Sequence, residues 1–534
     1  MPSTPTTKSQ VQAYRFVLRR MQSALVRKDA VMLHDPMRTH SRATAVGVVI
    51  SALGMLGFLV VGMLSPKGGG PESESIVIGE ESGAIYVATG EPMKLIPTFN
   101  LASARLLMAA QQQREQQGGE GGLNFSGGDE AGKEPQVVSD GELENIPKGR
   151  LTGIPDGPQL LPTPEQRISD NWAVCDKIDI NRRLEDPANT DKPTSSVLGG
   201  IRKLGVELGE NQAILGHAEN DKVYLIYHVP PDPNRGEANV VRSEVAMNDE
   251  DVTTTFNLSP SNQREISMGL LNAIPEAKPL QAPQIAGAGE PSQHLSDMNI
   301  GNVFLTRTAG GDPKYWVVLQ NGIQEVNQAV ADLVRAKYQQ GTTGMPQKEA
   351  AETTNVPHVS ELDVDEFPGQ VPTVLVPERF PAACLGWRVQ GEGENREGVF
   401  TMHVGAELPK KDDGSKLNPV KIGQPGAGGI KVDNFFIPQG RGAVVHAATS
   451  RDSFRSGPIY LISDRGVKYG IPDATTAKVL GLEQQSPAPD SIVRLIPDGA
   501  SLNTQDVLRT FDSVEVTPGS GSFENNNGSA QGGS

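Results

Sequence analysis

The stretch Tyr460–Gly481, YLISDRGVKYGIPDATTAKVLG, holds two short apolar runs split by a turn and followed by a small helix. Asp464, Arg465 and Gly466 supply the turn, and Asp473 is placed to cap the helix. A unit this small cannot bury a core alone, so the rest of the sequence must supply its partners.

Related patterns recur upstream. Residues 85–108 read strand, turn at TGEP, strand, then a helix with Asn100 as its N-cap. Residues 315–336, YWVVLQNGIQEVNQAVADLVRA, predict a hairpin turning at Asn321-Gly322 and then a helix. VYLIYH at 223–228 starts a fourth pattern, with a Pro-rich turn, a strand near 239–247 and a weaker helix after Asn248. Each unit closes on a tail with Ile-Pro or Phe-Pro before a turn, in 137–149, 266–280, 358–372 and 488–502. Polar insertions at 111–130 and near 339–356 lengthen two of the units. Four degenerate repeats of this kind would stabilise one another by stacking or by sharing a central module.

Two stretches fit no repeat. Residues 166–215 include NWAVCDKIDI, and residues 381–450 include CLGWRVQGEGENREGVFTMHVGAEL. Each has strand-like alternation and a Cys three residues from a Trp: Trp172 with Cys175, Cys384 with Trp387. Two cysteines in an oxidising compartment read as one disulfide, Cys175–Cys384, pinning a central β module; the alternative is a pair of buried thiols.

Compartment follows from charge. The first 42 residues carry a net +6, which leaves −22 on the remaining 492 of a chain whose total is −16. An acidic body argues against nucleic acid as its partner. Between the two regions Ala43–Leu64 runs 22 residues without a charge, long enough to cross the ~30 Å hydrocarbon layer. The long preceding segment and the following SPKGGG do not fit a cleaved leader, so the run reads as a signal anchor. The positive-inside rule puts the N-terminus in the cytoplasm and the acidic bulk outside. Just before the span, Ser9 is placed to cap a helix to about Asp29, in which Val11, Tyr14, Leu18, Met21 and Leu25 form an apolar stripe. Arg15, Arg19, Arg27 and Lys28 cover much of the remainder. Such a helix lies on lipid headgroups or docks on a partner; a solvated flank would explain its charge but not its stripe. Tyr14, Arg15, Phe16, Leu18, Arg19, Arg20, Met21 and Leu25 are the candidate docking residues.

Motifs that carry catalysis do not emerge. GQPGAGGIK (423–431) lacks the Gly-x-x-x-x-Gly-Lys spacing of a phosphate loop and reads as a flexible loop. The eight histidines show no metal-ligand spacing, and His228 and His446 sit in strand-like runs as structural residues. No catalytic, cofactor-binding or metal-binding residue is assigned.

YRFVLRRMQSALVRKDAVMLHDPMRTHSRATAVG (14–47), VSDGELENIPKGRLTGIPDGPQLLP (138–162), WAVCD (172–176), the second Cys and PQGRGAVVHA (438–447) together resemble the EccB family of the actinobacterial type VII (ESX) secretion system. The resemblance implies a subunit of the inner-membrane core complex, with EccC-, EccD- and EccE-like partners, self-association in the periplasm, and transport driven by a separate EccC-type motor. Family members have also been labelled ATPases. An extracytoplasmic nucleotide hydrolase is therefore the alternative reading, and a cell-envelope-binding module the third.

The expected fold class is α+β: a single-pass membrane protein with an N-terminal amphipathic helix, one transmembrane helix and an elongated extracytoplasmic domain of four hairpin/helix repeats around a disulfide-linked β module. The corresponding segments are 1–42 (basic helix), 43–64 (span), 65–165 (repeat 1), 166–215 (central module, first part), 216–285 (repeat 2), 300–380 (repeat 3), 381–450 (central module, second part), 451–510 (repeat 4) and 511–534 (disordered tail).

Overall fold

A computed structural model describes residues 7–28, 36–64, 70–117, 134–181, 183, 192–230, 240–307, 311–339, 344–393, 396–426, 429–430 and 432–511. It divides into two units, Met1–Gly70 and Pro71–Ser534.

The first unit holds two helices, Lys8–Arg27 and Pro36–Leu64. Thr7 is the N-cap of the first helix, its N–H donating to Gln10 Oε1 at 2.9 Å, so Ser9 lies inside the helix rather than at its cap. The helix ends at Lys28, which adopts the left-handed conformation that stops further turns. The second helix contains the apolar window Arg42–Val60, long and apolar enough to cross a membrane. It begins seven residues before the apolar run, because helical hydrogen bonding does not need apolar side chains.

Among the described residues the second unit is built from five sheets. Four have four main strands in one order, third-second-first-fourth, with the fourth strand parallel to the first. Their first strands are Ser75–Gly79, Gln212–Ala218, Val303–Thr306 and Gly442–Ala448. In each, a helix separates the third and fourth strands: Leu101–Gln117, Glu250–Thr255, Gln328–Tyr338 and Ala474–Val479. The N-caps Asn100 and Asp473 fall where the sequence puts them, their side chains accepting from the N–H groups of Ser103 and Thr476 at 2.8 and 2.7 Å.

After each fourth strand comes a short helix and then an apolar residue followed by Pro. In all four sheets the carbonyl of this Pro accepts from a third-strand N–H: Leu95 to Pro147 (2.9 Å), Arg242 to Pro275 (2.9 Å), Ile323 to Pro357 (2.8 Å) and Lys468 to Pro497 (2.9 Å). Pro serves here because only its carbonyl is used in the contact.

Several expected details shift. The third tail is Val356-Pro357, not Phe367-Pro368, since it is Pro357 that meets the third strand. The hairpin in that sheet turns at Gln320-Asn321, with Gly322 already paired to Leu319. Much of the supposed insertion near 339–356 is the fourth strand Gln347–Lys348 and the short helix Ala350–Thr353. Gln111–Gln117 continue a helix, while 118–130 lie outside the described residues, as do the first six residues and 512–534. Strand Gly442–Ala448 belongs to the fourth sheet and not to the central module, and Gln212–Leu215 likewise open the second sheet. GQPGAGGIK is partly described, and Gly426 packs against the backbone of Arg494 and Leu495 rather than standing free as a flexible loop.

The fifth, central sheet has seven strands, drawn from 172–207 and 382–436. Strand Trp172–Lys177 lies between Thr194–Gly199 and Ala382–Gln390, and Ala382–Gln390 forms a long hairpin with Glu397–Gly405. Cores are shared between sheets. One apolar cluster joins the first and fourth, another joins the second and third, and a third joins the central sheet to the second and fourth. The first and third sheets bury small clusters of their own as well, but every sheet shares a core with a neighbour, which answers the difficulty posed by the small unit 460–481.

Candidate interaction face and disulfide node

On helix Lys8–Arg27 the apolar stripe is solvent-facing: Tyr14 is 67% exposed, Met21 58% and Leu25 81%, with Val11, Val17 and Leu18 also above 40%. Arg15, Arg19, Arg20 and Arg27 are exposed as well, and Phe16 is half-buried. Apolar side chains at three-four spacing share one face. Leaving them in water forgoes roughly 1–3 kcal/mol per large side chain, so the face is energetically incomplete by itself.

The central sheet brings the two cysteines together. Cys175 and Cys384 are register partners on antiparallel strands, their Cα atoms 4.0 Å apart, and they form a disulfide. Three residues along, Trp172 pairs with Trp387 in the same register. Both cysteines are shielded from solvent among Ala173, Leu198, Leu204 and Phe436.

Beside Cys175 lies a polar node that motif reading misses. Asp176 is fully buried, and its carboxylate accepts from both the N–H and the Oγ–H of Ser267 at 2.7 Å. Ser267 in turn caps helix Met268–Ala273, its Oγ accepting from Leu270 N–H at 3.1 Å. Buried Arg264 donates to the carbonyls of Phe380 and Pro381 at 2.8 and 2.6 Å. Burial pushes the Asp176 carboxyl up to about 6, against the Ser267 hydrogen bonds and the Arg264 charge, and pulls Arg264 down to about 10. The node ties the central sheet to the second sheet. Its one sequence signal is an ionisable residue inside the apolar strand WAVCD.

A second polar clasp closes the chain on itself. Past helix Ala474–Val479 the carbonyls of Leu480, Gly481, Glu483 and Gln484 accept from Arg105 and Arg167, residues more than 300 positions earlier. These carbonyls would otherwise be unpaired at a helix end. His228 and His446 bond the carbonyls of Leu208 and Gly457 at 2.9 and 2.7 Å, a structural use. Among the described residues no group of three or more His, Cys, Asp or Glu side chains is placed to hold a metal ion.

Comparison with known proteins agrees with this architecture. The family model described as "Type VII secretion system ESX-1, transport TM domain B" matches residues 3–516. A Mycolicibacterium smegmatis protein named ESX-1 secretion system ATPase EccB1 is 30% identical over 96% of this chain and 97% of its own length. An M. smegmatis ESX-3 secretion system ATPase EccB3 is also 30% identical, over 97% and 93%. Among solved structures, the chain is similar to one in the intact ESX-5 inner membrane complex (TM-score 0.64, 24% identity, 97% of this chain and 98% of that one). It is similar too to the EccB3 dimer from the ESX-3 core complex (TM-score 0.63, 25% identity, 82% and 100%). With a family model spanning nearly its whole length, the chain belongs to the EccB family, transport transmembrane component B of type VII secretion.

Proposed function

We propose that this protein is a structural subunit of the inner-membrane core complex of a type VII secretion system, its extracytoplasmic domain forming part of a periplasmic scaffold. The observation that carries the reading is the pairing of one apolar span with a large domain whose sheets share their cores, in a family whose solved relatives come from inner-membrane assemblies. The four sheets with a common strand order and a common Pro contact are four copies of one repeat, arranged as two pairs around the disulfide-linked module. The basic flank supports a cytoplasmic N-terminus with the bulk outside. Helix Lys8–Arg27 docks through Tyr14, Leu18, Met21 and Leu25 on a membrane-subunit partner or the bilayer surface, and its arginines face acidic groups. EccC-, EccD- and EccE-like subunits and further copies of this chain are the partners.

Full-length chain carrying Tyr14→Asp, Leu18→Asp and Met21→Asp tests the docking face. The variant is expected to insert into membranes normally but to lose co-purification with the other membrane subunits. Unchanged co-purification would remove the docking role.

The names of the relatives favour a second reading, an extracytoplasmic nucleotide hydrolase. Phosphoryl transfer needs fixed donors and a metal at the phosphates, and the sequence holds no Gly-x-x-x-x-Gly-Lys-Ser/Thr motif to supply them; the string GGDEAGK at 127–133 is followed by Glu134. Magnesium-ATP hydrolysis by the purified full chain, at a rate abolished by substitution of a definable site, would establish it; activity no higher than a mock preparation removes it.

A further inference from the structure

We infer that the central sheet carries a docking site for an extended peptide segment of another protein, which lies along strand Glu397–Gly405 and inserts one large apolar side chain into the cavity beside it. This goes beyond the scaffold reading and does not depend on it. Strand Glu397–Gly405 pairs along its full length with Ala382–Gln390, but on its other edge, among the described residues, it pairs only with the two-residue strand Val206–Glu207, at His403 and Val404; strand Val240–Val245 packs nearby without pairing to it. The Met402 carbonyl on that edge accepts from Leu208 N–H at 2.7 Å, which fixes which residues face outward. Backbone groups alternate sides along a strand, so Phe400 and Gly398 also direct their N–H and C=O outward. Among the described residues these groups have no hydrogen-bond partner. An open strand edge is a template for another extended chain.

The chemistry next to that edge selects the occupant. A cavity of about 310 Å³ opens where the central, second and fourth sheets meet. Trp387, Phe400 and Phe454 form its apolar wall, with the rings of Trp387 and Phe454 edge-on and 6.1 Å between centroids. Its rim charges are already matched. Arg242 donates to the Ile274 carbonyl and to Glu276 at 3.2 and 3.0 Å, and Arg494 pairs with Asp490. An anionic ligand such as a nucleotide would have to displace those carboxylates, whereas an uncharged aromatic or large aliphatic side chain would leave both pairs intact while being taken out of water. Main-chain bonds to Phe400 would hold the segment, and the cavity would choose its side chain.

The test uses full-length protein in detergent micelles and fluorescein-labelled acetyl-Thr-Val-Xaa-Val-Thr peptides, with Trp, Phe, Leu or Asp at Xaa, read by fluorescence anisotropy. Saturable binding of the Trp, Phe or Leu peptide is expected, about tenfold or more tighter than the Asp peptide. Methylation of the peptide backbone nitrogens should weaken it to a similar degree. Phe400→Pro removes the outward donor, and Thr449→Trp, at an exposed rim position, fills the cavity mouth. Both should abolish binding, and a wild-type melting curve for Thr449→Trp separates lost binding from lost fold. No saturable binding of any apolar peptide, or equal binding by wild type and a folded Thr449→Trp, would overturn the proposal.

Discussion

Cys175 faces Cys384 across adjacent antiparallel strands, joined by a disulfide that closes a loop of 209 residues. That loop contains all of the second and third sheets. Restricting it in the unfolded chain gives about 5 kcal/mol in the chain-entropy treatment, an upper value.

Replacing both cysteines by Ser is accordingly expected to lower the free energy of unfolding of the second unit by about 2–5 kcal/mol. Urea denaturation of wild type with and without a reducing agent, beside the double variant, measures it. Coincident midpoints for all three would show that the bond contributes nothing.

The neighbouring Asp176 makes stability depend on pH with a defined sign. Its folded value, about 6, lies above the ordinary 3.8 because burial disfavours the carboxylate. Its contribution is therefore fully present below about pH 4 and is lost as pH rises through about 6, a change of roughly 3 kcal/mol. Asp176→Asn removes the titration, so the difference in unfolding free energy between wild type and variant should drift against the wild type from pH 4 to pH 7. A difference that stays flat over that range contradicts the buried, titrating carboxyl. Asp176→Ala is expected to cost about 3–5 kcal/mol, since it leaves both Ser267 donors unpaired and removes the negative charge beside buried Arg264.

Two glycines in equivalent sheets should respond oppositely to alanine. A Cβ on Gly322 would sit 2.1 Å from the Pro357 carbonyl oxygen, within the contact where the Pro tail joins its third strand. Gly322→Ala is expected to destabilise by about 2–4 kcal/mol. Gly470, also in a third strand, has open space within 4 Å of its Cβ position and a negative φ. Gly470→Ala should be neutral or stabilising by up to about 1 kcal/mol. Thermal unfolding of the two variants decides the matter, and a reversed order would refute the register of the Pro contact.

The Arg105–Arg167 clasp predicts coupling between the two ends of the second unit. Arg167→Ala leaves the carbonyls of Gly481, Glu483 and Gln484 without their donors and is expected to cost about 1–3 kcal/mol. Amide exchange over 480–485 should rise in the variant more than exchange over 172–177. Uniform exchange would mean the clasp has no local role.

The caps Asn100 and Asp473 and three of the four Pro tails are legible because each is a local signal: a capping Asn or Asp, or an Ile-Pro pair near its own helix. The first strand of each sheet was harder to read. Gly442–Ala448 pairs in parallel with Ser486–Pro489, about 40 residues on, and nothing within the strand itself names that partner. A sequence boundary at 450 therefore falls between two strands that pair with each other. Val356-Pro357 and Phe367-Pro368 both satisfy the same short pattern, and only the hydrogen bond to Ile323 separates them. The cysteine pair could be anticipated from count and the matching Trp spacing. The Asp176 node and the arginine clasp could not, since their partners lie 91 and more than 300 residues away along the chain.

The central claim, that this chain works as a built-in part of a membrane assembly, is tested most directly by purifying the full-length chain from its native membrane in mild detergent and identifying what comes with it. The account predicts a large, discrete particle containing several copies of this chain and the other membrane subunits of a type VII secretion system in fixed ratios. Recovery of the chain as a lone monomer, with those subunits present in the same membranes but absent from the particle, would contradict it.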